Sequence, residues 1–195
     1  MPRAGLTSDV VVAEAAAVAD ESGYERLTLA AVAGRLGVAL PSLYKHVRGL
    51  DGLQSGLAVL ATRELGDALT RAAVGRSGTE ALQAVGAAYR SYVLAHPGRY
   101  SATVRAAGPE DTEHAAATDD VLATVLAVLR SYGLTGDDAV DAARVLRSAL
   151  HGFAALEAAG GFGLPREVDS SFGQMIAALD VALRSWPAAD GGVLR

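Results

Sequence analysis

The 195-residue chain contains no cysteine. Disulfides, thiolate metal sites and cysteine nucleophiles are thereby excluded, and a reducing compartment is the natural setting. No uncharged run approaches the roughly 20 residues that span a bilayer. Asp9 and Glu14 interrupt the apolar stretch that a secretory signal would need near the N-terminus, so a soluble, cytoplasmic protein is expected. Catalytic signatures are missing too. His96, His114 and His151 have no i,i+4 or Glu-flanked metal spacing, no Gly-rich phosphate loop occurs, and no serine sits in a nucleophile elbow. Glu157 and Asp141 lie six and ten residues from His151, offsets that do not bring helical side chains together. No catalytic residue, metal or cofactor is expected.

Lysine is nearly absent as well: Lys45 is the only one. The formal net charge is -5, but it is unevenly spread. Residues 1–50 hold five basic side chains (Arg3, Arg26, Arg35, Lys45, Arg48) against five acids (Asp9, Glu14, Asp20, Glu21, Glu25), hence zero, and the whole deficit belongs to the remainder. Any contact of the first part with a polyanion must rest on a few cations.

What the chain does have is apolar residues, 51% of the total, recurring at helical spacing almost throughout. An all-α fold of about nine helices is expected. A first helix over residues 7–22, capped by Thr7 or Ser8, buries Val10, Val11, Ala15, Val18 and Ala19, and Gly23 ends it. Thr28 then caps a second helix bearing Leu29, Val32, Ala33 and Leu36. Gly37 stands where a helix closing in the left-handed conformation requires glycine. Pro41 is tolerable only in a first helical turn, so a third helix begins near Leu40, carries Leu43, Tyr44 and Val47, and stops at Gly49. Two short helices joined by a Gly-containing turn form a helix-turn-helix, whose second helix enters the DNA major groove.

The ordered run Leu27-Thr28, Val32-Ala33, Leu36-Gly37-Val38, Leu43-Tyr44-Lys45-His46-Val47 and Leu53 resembles the DNA-binding signature of the TetR/AcrR family of transcriptional repressors, closely over about residues 7–60. The resemblance implies that Ala39, Leu40, Pro41 and Ser42 face base edges and that Thr28, Tyr44, Lys45 and His46 grip phosphates of double-stranded operator DNA. Leu50 replaces a lysine common in the family, and Arg48 is the expected substitute. The base-facing set is mostly apolar; it suits thymine methyls, with Ser42 nearly alone as a hydrogen-bonding group.

The division expected is a DNA-binding domain over residues 1–50 and a helical effector-binding and dimerisation domain over 51–195, linked by a fourth helix at about 50–70. Residues 71–78 form the boundary loop. Later helices are expected at 79–95, 99–106, a segment carrying Val121, Leu122, Val125, Leu126, Leu129 and Tyr132, then 137–159, with Val140 among its apolar residues, and 168–186, with Ala182 among its. The stretch 146–162, with His151-Gly152, and His96-Pro97-Gly98 also resemble a Trp-His-Gly branch of the family, with Leu150 in place of the tryptophan. Tyr89, Tyr92, His96, Tyr100, Tyr132, Phe153 and Phe162 are candidates for an effector pocket, although each alone is more simply a packing residue. The last two helices are apolar around more than half their circumference, so a homodimer through a four-helix bundle is expected, using Leu146, Leu150, His151, Phe172, Met175, Ile176, Leu179 and Leu183. The function expected is a ligand-responsive DNA-binding repressor; the alternative is a helical small-molecule-binding protein or enzyme with a vestigial reading head.

Overall fold

Nine α-helices and one 3-10 turn account for the regular structure among the described residues, 5–108 and 110–187, of the computed structural model. They are α1 (Ser8–Ser22), α2 (Leu29–Leu36), α3 (Leu40–Leu43), α4 (Gly49–Ala73), α5 (Gly78–Ala95), α6 (Pro97–Thr103), α7 (Thr112–Arg130), α8 (Gly136–Ala158) and α9 (Val168–Arg184), with the 3-10 turn at Tyr24–Arg26. No helix among these residues is long and apolar enough to cross a membrane.

The chain forms two units, and the division differs from a cut at residue 50. One unit takes the chain through Leu65 together with Ala95–Asp119; the other takes Gly66–Leu94 and the chain from Asp120 onward. The part of α4 through Leu65, all of α6 and the start of α7 therefore belong with the helix-turn-helix.

In the first unit, Val11, Ala15, Val18 and Ala19 of α1, Val32 and Ala33 of α2, Leu43 and Val47, and Leu53 and Leu57 of α4 form one buried cluster. Val10, expected in this core, is instead exposed, whereas Ala16 is buried alongside the four other expected residues of α1. Small residues set the helix separations. A Cβ on Gly56 would stand 2.8 Å from a Val12 methyl, and one on Gly98 would lie 1.9 Å from the Ala19 carbonyl oxygen, so α6 crosses α1 backbone to backbone. Asp20 fastens this crossing. Its carboxylate accepts the Arg99 backbone N–H at 2.8 Å, capping α6, and pairs with the Arg99 guanidinium at 2.8 Å and with His96 Nδ1 at 3.3 Å. At the other end Asp111 caps α7, accepting the His114 N–H at 3.1 Å and the Ser55 hydroxyl of α4. The Ser55 hydrogen bond is the largest influence holding the Asp111 carboxyl below its usual range.

The second unit buries Leu82, Val85, Tyr89, Tyr92 and Val93 of α5, Val128 and Leu129 of α7, Leu146, Leu150 and Ala154 of α8, and Phe172, Ile176, Leu179 and Leu183 of α9. The absence of a side chain at Gly86 lets α9 approach α5; a Cβ there would lie 2.7 Å from Ile176 Cδ1. Leu122, Val140 and Ala182, expected to face inward, are exposed. Two polar ties close the unit. The Arg90 guanidinium donates to both Glu157 oxygens, at 2.6 and 2.5 Å, and to Asp169 at 2.7 Å, while lying over the rings of Phe172 and Phe153. Asp180 on α9 accepts from Tyr132 Oη at 2.6 Å, Thr79 Oγ1 at 2.8 Å and Arg184 Nε at 2.8 Å.

These three donors, Arg184 foremost, hold the Asp180 carboxyl at about 2, well below the usual carboxylate range. A depressed folded-state value means that the stabilisation is full above the unfolded-state value near 4 and is lost as pH falls toward 2. Asp180→Asn is accordingly expected to lower stability at neutral pH by about 1–2 kcal/mol and to flatten the loss of stability on acidification between about pH 4 and pH 2. Thermal denaturation of both proteins across that range checks it; parallel acid limbs would show that Asp180 is not the titrating group.

Candidate nucleic-acid interface

The helix-turn-helix is built by local chemistry. The Thr28 side chain accepts the Ala31 N–H at 3.1 Å and starts α2. Gly37 is left-handed, with φ of 65°, and the two bonds that follow, Val38 N–H to the Ala33 carbonyl (3.0 Å) and Gly37 N–H to the Gly34 carbonyl (3.2 Å), close α2 in a Schellman motif. Pro41 occupies the first turn of α3.

Regular α geometry in α3 is shorter than expected. It ends at Leu43, and Tyr44–His46 continue as a tighter turn in which the His46 N–H reaches the Leu43 carbonyl three residues back, at 2.8 Å. The reason is the next element: α4 begins at Gly49, whose φ of 71° reverses the chain, so the turn must close within five residues. Leu43 and Val47, four apart, anchor this segment in the core. Its outer face follows from that anchoring. Tyr44 is 58% exposed and Leu40 38%; Thr28, Ala39, Pro41, Lys45 and Arg48 are also exposed, whereas Ser42 and His46 are half-buried. All nine candidate DNA-contacting residues thus reach the surface of one small motif, seven of them as exposed side chains. Leu50, exposed at the start of α4, leaves no cation at that position.

Charge pairing sorts the cations of this unit in a way the sequence does not show. Arg35, on the helix-turn-helix itself, is held by Glu14 and Glu21 of α1. Arg63 pairs with Glu113, and Arg99 with Asp20 and Glu64. Lys45 and Arg48 form no ion pair among the described residues, so they can neutralise phosphates without first giving up a carboxylate partner.

The candidate effector residues are less tightly grouped. Tyr89 and Tyr92 are buried on α5 of the second unit, but His96 and Tyr100 lie at the start of α6 and within it, in the first unit. Within the second unit Tyr132 donates to Asp180, and Phe153 packs against Phe162 at 4.8 Å and Phe172 at 5.2 Å. Burial and the Asp180 hydrogen bond push the Tyr132 hydroxyl above its ordinary range.

The residues proposed for subunit contact require correction. Leu146, Leu150, Phe172, Ile176, Leu179 and Leu183 are buried within the chain, and only His151 and Met175 of that set are partly accessible. A second stripe remains outside: Val145, Gly152 and Leu156 on α8, and Ala177, Ala178, Val181 and Ala182 on α9. Leu156 is 52% and Val181 64% exposed. Both stripes are apolar at helical spacing, so periodicity alone does not tell the inward one from the outward one.

Residues 82–179 match a family model described as the tetracyclin repressor-like C-terminal domain. The chain is 42% identical over 158 residues to the HTH-type transcriptional regulator Rv0681 of Mycobacterium tuberculosis, covering 80% of this chain and 72% of that protein. It is 34% identical over 156 residues to the HTH-type transcriptional regulator YobS of Bacillus subtilis, covering 80% and 81%. Among solved structures, BioQ of Mycobacterium smegmatis superposes with a TM-score of 0.73 at 21% identity, over 94% of this chain and 100% of that one. A possible TetR family transcriptional regulator of Streptomyces coelicolor does so with a TM-score of 0.73 at 20% identity, over 92% and 100%. These last two likenesses show a shared fold. With the capped helix-turn-helix, the exposed Tyr44-Lys45 face, the family model over half of the chain and two relatives aligned over 80% of it, the protein belongs to the TetR family of helix-turn-helix transcriptional regulators.

Proposed function

We propose that the protein acts as a homodimer on a palindromic operator, represses transcription there, and is released by a small-molecule effector. The observation that carries the DNA part is the charge sorting of the first unit: its other helix-turn-helix arginine is tied to two glutamates, while Lys45 and Arg48 stand unpaired beside exposed Tyr44. Thr28 and the first N–H groups of α2, which have no intrahelical acceptors, add phosphate ligands without formal charge. The helix-turn-helix itself, residues 28–48, offers two unpaired cations, Lys45 and Arg48, so one head alone binds weakly and a pair is needed. The exposed apolar stripes of α8 and α9 supply a surface for that pairing, forming a bundle of two helices from each subunit. The two heads would then stand about 34–36 Å apart, or a multiple of this, to enter successive major grooves.

The effector is assigned to the second unit, with the buried α5 tyrosines Tyr89 and Tyr92 among its contacts. A ligand that favours a different head spacing shifts the equilibrium by its differential affinity and so releases the operator.

Selection of binding sites from random and upstream DNA with the full-length protein tests this. The expected result is an enriched palindrome bound by two chains, with a shallow salt dependence, log K against log salt of about -4, for four cations at roughly -0.9 each. Failure to enrich any sequence at any salt concentration would refute the reading.

A further inference from the structure

The base-facing end of α3 presents carbon where hydrogen-bonding groups would ordinarily stand. Leu40 is 38% exposed, with Ala39 and Pro41 exposed beside it, although Leu43 and Val47 of the same segment are buried. The core of the first unit therefore makes no use of Leu40 or Pro41. Ser42, the one hydrogen-bonding side chain of residues 39–42, is half-buried. Leu40 and Pro41 form the helical turn that leads directly into Tyr44 and Lys45, the residues assigned to the phosphates. When Tyr44 and Lys45 reach the backbone, the preceding turn lies over the bases.

Base edges in the major groove are lined by polar atoms, and thymine alone among the four standard bases adds a methyl carbon. Leucine and proline side chains pressed onto guanine, cytosine or adenine would strip water from N7, O6, N4 or N6 without replacing the hydrogen bonds, which is unfavourable. Against the thymine C5-methyl they bury apolar surface on both sides.

We propose that Leu40, with Pro41 and Ala39, is the specificity-determining group of this regulator and that it reads thymine through its C5-methyl rather than through hydrogen bonds. The inference rests on the operator-binding reading above. Each half-site then carries thymine opposite α3, and selectivity at those positions depends on a methyl group that base pairing does not use.

Replacing thymine by deoxyuridine, one position at a time, in the palindrome selected by the protein tests this, because uracil lacks only the methyl group. At the contacted position each replacement is expected to weaken binding roughly three- to fourfold, and replacement in both half-sites about tenfold. In Leu40→Ala, whose truncated side chain is exposed and whose fold circular dichroism verifies, the same replacement is expected to change affinity less than twofold. Three outcomes overturn the proposal: an enriched palindrome without thymine opposite α3, uracil tolerated at every position, or an undiminished uracil effect in Leu40→Ala. Failure to enrich any palindrome would instead remove the operator-binding reading beneath it.

Discussion

Replacing Tyr44 and Lys45 together by alanine is expected to lower operator affinity at least a hundredfold while leaving the melting temperature within about 2 °C of the parent. The two halves of this expectation have separate causes. Both side chains are exposed and absent from the buried cluster, which Leu43 and Val47 enter from the same segment, so their loss removes little that holds the fold. In the proposed complex each would make a phosphate contact twice, once per subunit. A charge-assisted hydrogen bond contributes about 1.5–3 kcal/mol, so even one lysine contact per half-site, at the low end, accounts for about 3 kcal/mol, or more than a hundredfold. Lys45→Ala alone is also expected to make the salt dependence shallower by about 2, since two lysines leave the complex. Fluorescence anisotropy of labelled operator across a salt series measures both. Unchanged affinity in the double variant would dismiss the assigned face.

A second large effect separates the two apolar stripes of α9. Leu179→Asp places a carboxylate where the side chain is 9% exposed and surrounded by the second unit's core; it is expected to cost about 4 kcal/mol or more and to unfold that unit near physiological temperature. Val181→Glu, two residues further on and 64% exposed, is expected to change the stability of the isolated chain by less than about 0.5 kcal/mol and yet to convert dimers to monomers. Operator affinity would fall with it, because each monomer retains only one head. Sedimentation velocity distinguishes the cases. A folded, dimeric Val181→Glu protein would place the subunit contact elsewhere, and a folded, monomeric Leu179→Asp protein would restore that residue to the interface.

The reading head was legible because its determinants are local. Thr28, Gly37 and Pro41 each act within four residues of themselves, through a cap, a left-handed closure and a fixed φ, and all three stand in the structure as their chemistry requires. The count and order of the helices followed from the same kind of information, with boundaries displaced by a few residues. Arg35 was not legible in this way. Nothing near it in sequence announces Glu14 and Glu21, 21 and 14 residues away, yet that pairing occupies Arg35 and leaves Lys45 and Arg48 as the unpaired cations of residues 28–48.

Arg90 and Glu157, 67 residues apart, and Asp20 with Arg99, 79 apart, are ties of the same long-range sort. The second of them, with the backbone contact at Gly98, places α6 among the helices of the reading head rather than with the candidate effector residues that flank it in sequence.

By itself, then, the sequence determined the helical class, the helix-turn-helix and the residues on its outer face, because capping, glycine and proline chemistry and the anchoring period of Leu43 and Val47 act over one or two turns. The tertiary structure alone decided which of two apolar stripes on α8 and α9 turns inward, which cations remain unpaired, and with which unit α6 packs. Those choices depend on the neighbour each face meets, and a periodic pattern records that a face is apolar without recording what will cover it.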